Sequence, residues 1–93
     1  MESLRNLSKN VAVLTTTYII EDKMPVLYVC CDEDEEGEIS WQFHCGNNDF
    51  DMKKVLLVGL STVLNVDAEL ININLEVGGE LRRDTALSEW KKV

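Results

Sequence analysis

A chain of 93 residues, 45% hydrophobic and 28% charged, has room for one core and not two, and this composition excludes a disordered chain. Seventeen acidic residues against nine basic ones give a net charge of −8, which excludes a nucleic-acid binder, because lysine and arginine must displace the counterions of phosphate. The same field opposes anionic membranes and attracts basic partners.

Met1-Glu-Ser-Leu-Arg-Asn6 lacks the apolar stretch of a signal peptide. The longest apolar run, Met24 to Cys31, is interrupted by Pro25 and falls far short of a membrane span. Three cysteines, an odd number, with no export signal predict a reduced, cytoplasmic protein.

In chain order, Met1 to Asn10 reads as a polar arm or short helix anchored by Leu4 and Leu7. Val11 to Ile20 is rich in β-branched residues and apolar at both parities, which predicts a central strand. Glu21 to Met24 reads as a turn, with Pro25 opening a second strand over Val26–Cys31. Asp32 to Glu38 is an acidic connecting loop. In the following strand Ile39, Trp41, Phe43 and Cys45 alternate with Ser40, Gln42 and His44, so one face carries two large aromatics. A hairpin closed symmetrically about Glu35 sets Val29 opposite Trp41 and Leu27 opposite Phe43. These three strands predict an antiparallel meander.

After Gly46, Asn48 or Asp49 is placed to cap a helical turn, with Asp51 early and Lys53 and Lys54 late, the order the helix dipole favours. Val55 to Val58 is a brief apolar strand or extended segment, and Leu60, Val63 and Leu64 take helical spacing behind a Ser61 cap. Leu70 to Val77 alternates like a strand, yet Asp67 is a good N-cap for a helix over Ala68 to Asn72. Gly78-Gly79 turns the chain into an edge strand over Glu80 to Asp84, and Trp90 in the 86–93 tail folds back as a lid. The expected fold class is α+β: a β-meander with short helices packed on the Trp41/Phe43 face, in a single domain over residues 1–93.

Chemistry finds few candidates. Cys30, Cys31, His44 and Cys45 invite zinc, but neighbouring strand residues point to opposite faces, and the assumed register staggers Cys30 and His44 by about four residues, roughly 13 Å. Asp32, Asp34, Glu36 and Gly37 fall on the first, third, fifth and sixth positions of a calcium loop, but the twelfth is Phe43, not a bidentate carboxylate. His44 has no nucleophile partner, and Gly78-Gly79 lacks a phosphate-loop context. No catalytic residue, cofactor or metal site is expected.

Trp41-Gln-Phe43-His-Cys-Gly46, followed by Asn47-Asn-Asp49, resembles the W-x-F-x-x-G centre of a family of small bacterial α+β domains, often described as immunity-protein-like, from polymorphic toxin systems. Val11 and Val13, Leu60 and Leu64 ahead of Asp67, and Gly78 or Gly79 before Arg83-Asp84 fit in order. The chain departs from the family's Asp-Ser-Gly before the tryptophan, having Glu38-Ile39-Ser40, and from Asp-Pro at Asp67-Ala68. The resemblance favours the helix over Ala68 to Asn72 and brings no catalytic residues. It implies a protein that neutralises a toxin by occluding its site. Asp32, Glu33, Asp34, Glu35, Glu36 and Glu38 are then the expected contact with a basic partner, and Tyr28 an aromatic anchor on the outward face. The alternative expectation is a calcium or small-ligand domain using the same loop.

Overall fold

Trp41 and Phe43 occupy the buried face of their strand, 2% and 0% exposed, with their rings stacked 6.4 Å apart. The computed structural model describes residues 1–49 and 51–93 and shows an α+β fold built around that strand. Its strands are β1 (Glu2–Ser3), β2 (Ala12–Thr16), β3 (Tyr28–Glu33), β4 (Ile39–His44), β5 (Val55–Gly59), β6 (Asn74–Leu75), β7 (Glu80–Arg82) and β8 (Lys91–Lys92). The helices are α1 (Thr17–Ile20) and α2 (Leu60–Val66), supplemented by 3₁₀ turns at Leu4–Asn6, Met52–Lys54 and Ala68–Asn72.

The main sheet has the order β5-β2-β4-β3-β7-β8 and is mixed, which corrects the expected antiparallel meander. β2 lies parallel to β4 and antiparallel to β5, so the first long strand does not pair with the second. The cause is local. The β-branched run from Val11 does not stay extended: Thr17 to Ile20 turn into α1, where Glu21 donates its N–H to the Thr17 carbonyl and Ile19 becomes fully buried. Leaving the sheet at Thr16 carries the chain across its end instead of back along β2. Burial of Ile19 outweighs the modest helix penalty of β-branched residues.

The β3–β4 hairpin forms as expected but is centred one residue later than symmetry about Glu35 predicts. Val29 therefore pairs with Phe43 and Cys31 with Trp41, with Tyr28 opposite His44. Turn chemistry sets this register. Asp34 and Glu38 are joined by a backbone hydrogen bond, and Gly37, at φ +82°, supplies the left-handed residue that ends a three-residue loop. Parity survives the shift, so both aromatics keep the core face, whereas Cys30 and His44 stand two residues apart and not four.

The second half of the chain corrects further expectations. Asp51, not Asn48 or Asp49, caps the Met52–Lys54 turn, accepting from the Lys53 N–H. Gly59 rather than Ser61 precedes α2, whose Leu60 and Val63 are fully buried. Asp67 caps Ala68–Asn72 as a 3₁₀ turn, and Asn74–Leu75 then pairs with Glu2–Ser3, so the N-terminal arm is tied down and its Leu4 is completely buried. β7 is not an edge strand, because β8 pairs outside it. Ile19, Leu60, Val63, Leu70, Ile73 and Leu75 join Val13, Val29, Trp41 and Phe43 in one hydrophobic cluster, so the helical segments cover the Trp41/Phe43 face.

Arg83, only 8% exposed, closes the open side of this cluster. Its Nε donates to the Val26 carbonyl and its two terminal nitrogens to the Ala86 carbonyl and to Asp67 Oδ2 at 2.9 Å, while the Trp90 ring lies 4.2 Å from the guanidinium. Trp90 thus folds back as expected, held by a cation rather than by apolar contact alone. Asp67 is used twice, since its Oδ1 caps the 3₁₀ turn.

Two measurements test this packing. Trp41→Ala is expected to lower unfolding free energy by about 3–5 kcal/mol in urea denaturation, and a loss below about 1 kcal/mol contradicts the core assignment. Asp67→Ala removes both the cap and the partner of a buried guanidinium and is expected to cost about 3 kcal/mol or more. Asp67→Asn, which keeps the cap oxygen, is expected to cost less in the same assay.

Candidate functional site

The acidic loop is a folded turn, not a loose one. Asp34 Oδ1 accepts the N–H groups of Glu36 and Glu38, both at 2.9 Å, and the Gly37 N–H reaches the Asp34 carbonyl at 3.1 Å. Aspartate suits this place because its short carboxylate can bond the backbone two residues on. One predicted contact residue is therefore committed to holding the turn. Asp32, Glu33, Glu35, Glu36 and Glu38 surround it, and all are exposed. Among the described residues the single ion pair is that of Arg83 with Asp67, so no lysine or arginine neutralises the tip at contact distance.

Tyr28 lies at the other end of the hairpin, and the structure does not bring it to the tip. It shares the outward face with Asp32, four residues on, roughly 13 Å away at strand rise. The ring is half-buried, tilted against His44 at 5.7 Å between centroids, with the Arg82 guanidinium 4.9 Å above it. Its hydroxyl hydrogen-bonds to Glu80, and burial together with that bond pushes the phenol well above its ordinary pKa. Tyr28 faces outward as expected, but as part of a polar cluster packed on β3, β4 and β7.

The rest of that end is a hollow of about 10 Å³ lined by Thr16, Tyr28, His44, Asn47, Asp49 and Arg82, room for about one water molecule. Thr16 Oγ1 is buried with no hydrogen-bond partner among the described residues. Gly46 turns the chain here at φ +76°, where a Cβ would stand 3.5 Å from Leu27 Cβ. Tyr18 hydrogen-bonds to Asp49, which also accepts from the Asp51 N–H; the two bonds hold the Asp49 carboxyl below its usual range. Thr16 carried no signal in the sequence and Asp49 only that of a candidate cap, because their meeting depends on the parallel pairing of β2 with β4.

The three cysteines are free and buried. Burial, reinforced by the charge of Asp32, pushes the Cys30 thiol up to about 11, and burial also raises Cys31, so neither supplies thiolate at neutral pH. Among the described residues no group of three or more His, Cys, Asp or Glu side chains is placed to hold a metal ion, so the calcium reading of 32–38 gains no geometric support. Also among the described residues, no helix is long and apolar enough to cross a membrane.

No family model matches the chain, and no curated protein or solved structure gives a match. Fold and site together define a small α+β domain with a mixed six-stranded sheet and an organised, unneutralised acidic hairpin tip.

His44 provides the test of this end of the sheet. It is 9% exposed, its Nε2 lies 3.0 Å from Gln42 Oε1, and burial lowers its pKa below the ordinary value of 6.5. Between the lowered folded value and 6.5 the unfolded chain binds more protons, so His44 makes stability rise with pH through that window. The loss on acidification is complete below the folded value. Melting temperatures compared at pH 7.5 and pH 5 are expected to fall further for the wild type than for His44→Gln, because acidification must charge the buried ring. An equal fall in both contradicts a buried, neutral His44.

Proposed function

We propose that this chain is an acidic protein-interaction domain whose β3–β4 tip docks on a basic surface of another protein. The observation that carries the reading is the tip itself: a turn pre-organised by Asp34 that projects Asp32, Glu33, Glu35, Glu36 and Glu38 into solvent with no ion pair among the described residues. A charged surface already ordered before binding gives up less conformational freedom on association. Its field raises the encounter rate with a cationic partner by about 10- to 1,000-fold at low salt. The resemblance of Trp41, Phe43 and Gly46 to immunity-like domains narrows the partner to a toxin, and occlusion of a nucleic-acid-cleaving enzyme's basic groove is the mode of action that suits this charge. The protein itself then needs no catalytic residues.

Capture from a bacterial lysate at low and high salt, followed by association kinetics with the purified partner, tests the reading. Changing Glu33, Glu35, Glu36 and Glu38 together to Gln is expected to lower the association rate by about tenfold or more at low salt and to flatten its salt dependence. Asp34→Asn keeps the Oδ1 that organises the turn and is expected to have the smaller effect, whereas Asp34→Ala loosens the turn as well. Unchanged capture and rate for the quadruple variant removes the tip as the interface.

A further inference from the structure

The two edges of the main sheet are built in opposite ways. β8 is two residues long, Lys91 and Lys92, both exposed, the kind of short charged edge that discourages further strand pairing. β5 at the other edge is Val55-Leu-Leu-Val-Gly59: five residues without a charge or a proline, paired with β2 on one side and with no described strand on the other. Leu57 is 70% exposed there, an unusual position for so large an apolar side chain on an edge strand.

The ladder fixes which backbone groups are open. Leu60 donates its N–H to the Val11 carbonyl at 2.8 Å, and the β2–β5 register continues through Val13 opposite Val58 and Thr15 opposite Leu56. Those pairs are the ones that exchange hydrogen bonds in antiparallel alternation. The residues between them, Val55, Leu57 and Gly59, therefore turn their N–H and C=O groups away from β2 toward the open edge.

We propose that this edge pairs with the β5 edge of a second copy of the chain, antiparallel about a two-fold axis at Leu57. That centre is the one that uses all three outward residues at once: Leu57 meets Leu57 of the second copy, and Val55 meets Gly59. Each pair exchanges both of its backbone hydrogen bonds. The side chains fit the same centre, since bulky Val55 faces a residue with no side chain and the exposed leucines cover one another. On the core face Val58, which packs against the cluster, and the half-buried Leu56 lie beside the junction.

Charge favours the two-fold arrangement. β4 runs parallel to β2 and β5 antiparallel, so the acidic tip lies at the Gly59 end and Lys53 and Lys54 lie at the other. An antiparallel pairing sends the two acidic tips to opposite ends of the assembly. It also sets Lys53 and Lys54 of each copy at the end that carries the other's tip, beside that copy's Lys9. A parallel pairing would place both tips at one end. The dimer is independent of what the tip binds, and it yields a twelve-stranded sheet with an outward-facing acidic tip at each end.

Sedimentation equilibrium across a concentration series reads the outcome. The expected mass approaches twice 10.6 kDa with rising concentration and returns to 10.6 kDa for Leu57→Lys, which places a charge where the side chain is already mostly in solvent. Hydrogen exchange on the wild type supplies a readout that needs no variant: the Leu57 and Gly59 amides are expected to slow as concentration rises, while those of Val58 and Leu56 do not change. A mass of 10.6 kDa at every concentration overturns the proposal. So does a dimer in which the Leu57 and Gly59 amides exchange as fast as in the monomer, since it then forms elsewhere. Protection of those amides only when an extended apolar peptide is added assigns the edge to a different occupant and overturns it too.

Discussion

The guanidinium of Arg83 is the point on which three separate stretches of this chain converge. It reaches the segment ahead of β3 through Val26, the tail through Ala86 and Trp90, and the junction between α2 and the 3₁₀ turn through Asp67. A guanidinium suits this place because its donors are fixed in a plane and can bond in three directions without losing side-chain order. Buried charge carries a heavy desolvation cost, which a carboxylate and two carbonyls offset only while all of them stay in position. Strands, tail and helical layer are therefore coupled: none can shift without stranding a charge inside the protein.

That coupling leaves the two ends of the hairpin with different work. At the Tyr28 end, side chains satisfy one another: phenol with carboxylate, imidazole with amide, guanidinium over ring. At the tip, the carboxylates have no ion-pair partner among the described residues, and Asp34 bonds to backbone. A net charge of −8 gives the domain a strong negative field, and an ordered turn that gathers six acidic residues from Asp32 to Glu38 adds direction to it. The β5 edge is a separate surface along one edge of the sheet, and its chemistry is apolar and backbone-driven.

The residues on which the proposed likeness to immunity-like domains rests hold the fold together. Trp41 and Phe43 fill the core, Gly46 makes the left-handed turn after β4, Asp67 caps and pairs, and Arg83 locks the tail. None of them lies at the acidic tip. Pattern similarity of this kind speaks to architecture, because packing and turn geometry tolerate few residue types, whereas a docking surface is free to differ from one partner to the next.

Read by itself, the sequence determined what local chemistry can determine. The alternation from Ile39 to Cys45 named the buried face, Gly37 and Asp34 lay in the loop that closes the hairpin, and Asp67 marked the start of a helical turn, each set by a period of two or by a side chain bonding its own backbone. The α+β class and the return of Trp90 to the core followed from the same signals. The order of strands did not. A β-branched run such as Val11 to Ile20 satisfies a long strand and a strand followed by a helical turn almost equally, and only the site waiting for Ile19 beside α2 separated them. Once the chain left the sheet at Thr16, the mixed order, the hollow beside His44, the open edge at β5 and the burial of Arg83 were all consequences of long-range packing. Contacts between residues far apart in sequence leave no period and no spacing to read, so the tertiary structure alone decided them.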